Sequence, residues 1–281
     1  MKNIQILKPY NSLLYPYIDC YLFPKFEYDS MLHTQGGVLE VLPSPQTSII
    51  LFFSEPSFYF EYEELKRYDE FILTGYYKKP KKIFRTSSLD QMIIKFSPIG
   101  IQSLLDFQIS EIMDSYLSIE EVFKDDFYKL KSNLQKANSY KERILTFERF
   151  MISKLSLTKS IDERVNKLIS YIYENKGCHG IKQISQDLGI GERTIQRIIQ
   201  KYVGINYKSF SKLIRFNEAR KLLTRFDLKE YTSQLAYKLN YFDQAHFIHD
   251  FKSFSNLTPS QFISKQKRNK LFDIPNRIIC K

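Results

Sequence analysis

The pattern that most restricts what this chain can fold into is the spacing of apolar residues around Gly189. Ile181, Ile184 and Leu188 recur at i, i+3 and i+7, one face of a two-turn helix. Gly189 follows at once, where a chain leaving a helix by a left-handed turn favours a residue without Cβ. Ile190 can then drop into the core of the turn, and Ile195, Ile198 and Ile199 supply the inward face of a second helix. The other face of that second helix carries Arg193, Thr194, Gln196, Arg197 and Lys201.

The same plan recurs 50 residues later, from Ile181 to Tyr231. Tyr231 to Leu239 reads as a first helix, and Asn240 takes the glycine's place because Asn tolerates the left-handed region. Asp243 is a suitable N-cap for the next helix. Phe247, Phe251 and Phe254 give that helix its inward stripe, while Gln244, His246, His249 and Lys252 point outward. A longer helix near 207–225, with Leu213, Ile214, Ala219, Leu222 and Leu223, has the apolar surface to fuse the two units. Helices are expected near 161–175, 181–188, 192–203, 207–225, 231–239, 243–254 and 259–266, separated by glycines and Pro259.

Charge singles out the same half of the chain. The net charge is +11. Residues 1–160 hold 20 Lys+Arg against 20 Asp+Glu, and residues 161–281 hold 22 against 11, so the whole excess lies in the helical half. A neutral half joined to a basic half implies one polyanionic partner and one that is not. Two short helices crossing at a tight turn, the second bearing Arg and Gln outward, is the arrangement that sets a recognition helix in the major groove of DNA. There Arg can bind guanine O6 and N7 together, and Gln can read adenine N6 and N7.

The run ISQDLGIGERTIQRIIQKYVG (184–204), then LIRFNEARKLL (213–223), then LAYKLNYFDQAHFIHDFKSFSNLTPSQF (235–262) resembles the DNA-binding domain of the AraC/XylS regulators. It includes that family's aromatic–x–D–Q–x–H–F segment, followed by F-K and T-P-x-x-F. The resemblance implies a bacterial-type transcription regulator whose two recognition helices, held by a long linking helix, enter successive major grooves of double-stranded promoter DNA. By position it implies base contacts from Arg193, Thr194, Gln196 and Arg197 on the first helix, and from Gln244, His246 and His249 on the second. Lys201, Lys208 and Lys252 are placed for phosphates, which position without specifying. Two departures matter. His249 stands where the family usually has Arg, followed by the acidic Asp250, so weak reading by the second helix is one expectation; Asn240 replaces the usual Gly.

The first hundred residues read as short strands and turns. Val38–Leu42, Ser48–Phe53 and Gln91–Phe96 are β-branched or aromatic runs, Ser57–Tyr62 is a fourth candidate strand, and Pro43, Pro45, Pro56, Pro80 and Pro98 punctuate them. A sandwich or barrel follows. Beyond residue 101 the period changes. Ile119 to Leu134 and Ile144 to Leu155 read as two amphipathic helices joined near Asn138-Ser139, with a linker over 155–160. The fold class is α+β: a β-rich sandwich or barrel-like domain over 1–115, a helical segment over 116–158, an all-α domain of two helix-turn-helix units over 161–267, and a basic tail over 268–281. Phe96-Ser97-Pro98-Ile99-Gly100 leading into a helix at Ile101–Leu105 resembles a junction in the sensor-like domains of such regulators. Two readings stay open for the helical segment, dimerisation or docking on its own chain. Two also stay open for the aromatic load, 20 Tyr and 23 Phe, which can line an effector pocket or simply pack. A small-molecule effector or a protein partner fits the first.

Catalysis finds no support. Residues 1–160 contain only His33, so the three-histidine site of metal-dependent double-sheet barrels cannot be assembled. No GxSxG, GxxxxGK[ST] or HExxH occurs. The pair His246 and His249 lacks a nearby third ligand, and Cys20, Cys178 and Cys280 are scattered, so neither metal, cofactor nor disulfide is expected. Lys78 to Lys82 reads as a solvated turn rather than a phosphate loop. The opening residues carry no apolar leader and no run suffices to span a bilayer, which points to the cytoplasm and no membrane partner. Two alternatives remain beside the specific regulator: an architectural binder that reads only phosphates, and a DNA-tethered small-molecule enzyme, against which the missing motifs already count.

Overall fold

The computed structural model describes residues 4–24, 37–54, 58–61, 64–85, 90–105, 107–155, 162–225 and 232–269. Its first part is built on ten strands: β1 (Ile4–Leu7), β2 (Ile18–Pro24), β3 (Gly37–Val41), β4 (Ser48–Phe52), β5 (Phe58–Glu61), β6 (Glu64–Arg67), β7 (Phe71–Thr74), β8 (Lys81–Arg85), β9 (Gln91–Phe96) and β10 (Tyr116–Ser118). Six of them form one antiparallel sheet in the order β1-β2-β9-β4-β7-β10, and four form another in the order β3-β8-β5-β6. The strands expected over 38–42, 48–53 and 91–96 are β3, β4 and β9; β5 answers the 57–62 expectation, whose ends lie outside the described residues.

The larger sheet is apolar on both faces. Tyr21, Phe23, Ile49, Leu51, Phe71, Leu73, Met92 and Ile94 join the main core, while Cys20, Leu22 and Ile93 turn to the opposite face against Ile4, Ile6 and Ile50. With both faces covered the strands lose polar alternation, which is why β2 and β7 escape a search for period two.

Four helices cover the main-core face: α1 (Gly100–Leu105), α2 (Ile119–Phe123), α3 (Asp126–Gln135) and α4 (Tyr140–Leu155). The single helix expected over 119–134 is broken in two. Lys124 adopts φ 48° and ends α2, and its backbone N–H donates to the Glu120 carbonyl. Phe123, Phe127, Leu130, Leu134, Ile144, Phe147 and Met151 are all buried in the same core as the sheet, so this chain covers their apolar stripes itself.

The second part is all helix: α5 (Glu163–Glu174), α6 (Ile181–Leu188), α7 (Glu192–Val203), α8 (Tyr207–Arg225), α9 (Thr232–Lys238), α10 (Gln244–Ser255) and α11 (Pro259–Asn269). These match the seven expected helices to within a few residues. The expected linker beyond Leu155 and the tail beyond Asn269 lie outside the described residues, as does His33. The first helix-turn-helix unit shares the main core with the β-rich part through Ile184, Ile195, Ile198, Ile199, Val203, Phe210 and Ile214. The second has its own core of Leu235, Leu239, Tyr241, Phe247, Phe251 and Phe262. Helix α8 contributes to both, with Phe210 and Ile214 in one and Leu213, Phe216, Ala219 and Leu223 in the other.

Candidate nucleic-acid interface

The first unit is α6, a turn and α7. Gly189 ends α6 at φ 63°, in the left-handed region. A Cβ there would meet nothing within 4 Å, so backbone conformation rather than space selects glycine. Ile190 is buried in the turn. Along α7, Ile195, Ile198, Ile199 and Val203 face inward, and Arg193, Gln196, Arg197 and Lys201 are exposed along one stripe; Thr194 is half-buried beside it. Gln196 has a second engagement: its Oε1 accepts the Tyr207 N–H at 3.3 Å, capping the start of α8 and tying it to α7. Its amide N–H groups are the part left for a base. Lys208, in the first turn of α8, is exposed.

The second unit repeats the geometry with different residues. Asn240 stands at φ 55° in the turn after α9, and its side-chain amide donates to the Cys178 carbonyl at 3.0 Å, fastening the turn to the loop before α6. Tyr241 is buried against Phe247, with the Arg215 guanidinium 4.6 Å above its ring. Burial holds its phenol well above the usual tyrosine range, the Arg215 charge opposing. The Asp243 carboxylate accepts the His246 N–H at 2.7 Å and caps α10. Gln244, His246, His249 and Lys252 are exposed, with Gln244 at the helix start and the other three along its outer side.

Asp250 differs from the sequence expectation. It is buried, accepts from the Lys212 ammonium of α8 at 2.8 Å, and lies 3.7 Å from His246 Nε2 and 3.8 Å from His249 Nδ1. It therefore anchors α10 to the linking helix while its carboxylate stays beside the two outward histidines. The signal was available: Phe247, Asp250, Phe251 and Phe254 follow i, i+3, i+4, i+7, an inward stripe. Lys212, its partner, carries no such mark in the sequence.

The β-rich part touches both units. The short 3₁₀ turn Ile109–Ile112 packs against the end of α7, where a Cβ on Gly204 would come within 3.2 Å of the Ser110 nitrogen. The buried Asn217 of α8 donates to the Pro43 carbonyl at 3.2 Å, and Lys265 of α11 pairs with Glu40. Lys79, exposed in its turn, also reaches the Ser253 carbonyl near the C-terminus of α10 at 3.0 Å. Lys95 of β9 is buried, and burial lowers its pKa to about 8; Arg220 of α8 pushes the same way, Cys20 and Asp19 the other.

Two helix-turn-helix units fused by one long helix define a DNA-binding domain. Residues 184–265 match a family model described as a helix-turn-helix domain, and residues 7–118 match another described as a domain of unknown function (DUF6597). The C-terminal part of the chain thus carries a helix-turn-helix domain. Among solved structures it is similar to ToxT from Vibrio cholerae, at 14% identity over 82% of this chain and 97% of that one, with a TM-score of 0.45. It is also similar to the C-terminal domain of AraT, a response regulator from Geobacillus stearothermophilus, at 20% identity over 38% of this chain and 88% of that one, TM-score 0.35. An AraC-type DNA-binding domain-containing transcriptional regulator from Chromobacterium violaceum matches at 19% identity over 38% and 95%, TM-score 0.34. No curated protein matches the chain. Among the described residues no helix is long and apolar enough to cross a membrane.

Proposed function

We propose that this protein is a sequence-specific regulator that reads double-stranded promoter DNA with α7 and α10 in successive major grooves. The observation that carries the reading is the exposed stripe Arg193, Gln196, Arg197 and Lys201 on a helix whose opposite face is locked into the core. Arg193, Thr194, Gln196 and Arg197 contact bases from α7; Gln244, His246 and His249 contact them from α10; Lys201, Lys208 and Lys252 neutralise phosphates. The proposed units are a β-rich sensor-like domain over 1–115, a helical segment over 116–158, the DNA-binding domain over 161–267 and a basic tail over 268–281. In this reading the first responds to a small molecule or protein and mediates pairing of two chains, and the protein works in the cytoplasm. The contacts of the β-rich part with α7, α8, α10 and α11 support a response that reaches both units.

A second reading has two observations in its favour. Helix α10 presents no arginine outward and Gln196 is partly engaged by Tyr207, which suits a binder that aligns on phosphates alone. The two separate on sheared genomic DNA of the source organism incubated with full-length protein at moderate salt. Specific reading predicts enrichment of a few sites sharing two short motifs about one helical turn apart. It also predicts that replacing Arg193, Gln196 and Arg197 together by Ala abolishes the preference. Featureless enrichment, or a preference untouched by the triple variant, refutes it.

A further inference from the structure

Phe242 is the most exposed large apolar side chain among the described residues, 94% open to solvent, and nothing in the AraC/XylS motif assigns it, since it falls on the open position of aromatic–x–D–Q. Its neighbours are all held. Asn240 is fastened by its amide to the Cys178 carbonyl, Tyr241 is buried under Arg215, and Asp243 is fixed as the N-cap of α10 with an extended backbone. With Tyr241 pointing in and Asp243 turned back on the helix, Phe242 between them points out. Its ring is thus displayed from an ordered backbone, so little freedom remains to be lost when a partner covers it.

Resting on the reading that α10 enters the major groove, we infer that Phe242 is an apolar base-reading residue that packs on the 5-methyl group of a thymine. Three observations select duplex DNA as the occupant. The ring stands one residue before the N-cap of α10, at the end of a recognition helix whose residues meet base edges. The exposed side chains that follow it, Asp243, Gln244 and His246, are polar groups of the kind that meet base edges, with only the small Ala245 among them. The half of the chain that carries it holds 22 basic against 11 acidic residues, matching a polyanion. In the major groove the thymine methyl is the apolar group that a phenylalanine can cover, and it distinguishes T from C and from the purines.

The test uses full-length protein and a duplex recovered by genomic selection. Each thymine of the α10 half-site is replaced in turn by deoxyuridine, which removes only the methyl group. Wild-type protein should lose about fourfold in affinity at one position, the worth of one buried methyl. Phe242→Ala should bind more weakly than wild type and be indifferent to deoxyuridine at that position, while Phe242→Leu keeps part of the discrimination. Equal sensitivity of wild type and Phe242→Ala at every thymine overturns the inference, as does a uniform loss with Phe242→Ala that no single methyl explains. If no preferred duplex is recovered at all, it is the underlying reading of sequence-specific binding that fails.

Discussion

At the scale of single residues, the two turns test the same physical requirement with different side chains. Gly189 and Asn240 both hold positive φ, at 63° and 55°, a conformation that costs an ordinary L-residue about 1–2 kcal/mol. Gly189→Ala should therefore destabilise the protein by about that much in chemical denaturation. Gly189→Asn should cost distinctly less, because Asn tolerates this region and already occupies it in the second unit. A second residue-scale prediction concerns Asp250. Lys212→Met keeps the aliphatic stem but takes the ammonium from a buried carboxylate, leaving His246 and His249 beside it, and should cost up to about 3 kcal/mol, the low end for a buried ion deprived of its partner. Asp250→Asn should cost less, and the double variant should recover part of the loss in a thermodynamic cycle. Additive effects would show that the pair is not coupled. Gly189, Asn240 and Asp243 were legible as turn and cap residues because their roles are local. Lys212 was not, because its role exists only once α8 and α10 have packed.

Among elements, the junction of β9 with α8 is the one that should respond to pH. Lys95 is buried and its pKa is lowered to about 8 from an ordinary value near 10.5. Below pH 8 both folded and unfolded chains hold the proton, and the cost of burying the charge is fully present. Between pH 8 and about 10.5 the unfolded chain binds more protons than the folded one, so stability rises with pH, by up to about 3 kcal/mol. Above pH 10 the buried tyrosines Tyr76 and Tyr241, whose phenols are held above their usual range by burial, act in the opposite sense. Between pH 8 and 10 the Cys178 thiol, pushed up by burial, also acts in the opposite sense, so the check is a difference: in urea titrations wild-type stability should rise relative to that of Lys95→Met. A wild-type curve parallel to that of Lys95→Met would place Lys95 in contact with water or a compensating acid. The helices α5–α11 were readable because each presents an apolar stripe with glycine, asparagine or proline at its ends. Strands β2 and β7 were hidden because both sides of their sheet are covered, and the break at Lys124 was hidden because the stripe from Ile119 to Leu134 continues across it.

The whole molecule sets how the basic half meets its partner. Each phosphate neutralised releases counterions, so the affinity for duplex DNA should fall steeply with salt. Replacing Lys201, Lys208 and Lys252 together by Ala should reduce the slope of log K against log salt by about 0.9 for each phosphate no longer neutralised, with little change in sequence preference. A slope unchanged by the triple variant would remove all three from the interface. The β-rich part enters this picture because it holds both units, through Ser110 beside Gly204, Pro43 with Asn217, Lys79 with Ser253 and Glu40 with Lys265. The sequence by itself determined the double helix-turn-helix, its linking helix, the outward stripe of α7 and the concentration of charge in one half. Each of those depends on residue type at short spacing, and local periodicity, turn chemistry and charge count are properties of the chain as written. The tertiary structure alone decided that Lys212 is the partner of Asp250, that Gln196 serves α8, that Asn217 reaches Pro43, that the first unit shares a core with the β sheet while the second has its own, and that Phe242 stands uncovered. Those are matters of which surfaces meet, through partners 11 to 174 positions apart in the chain, and packing rather than pattern settles them.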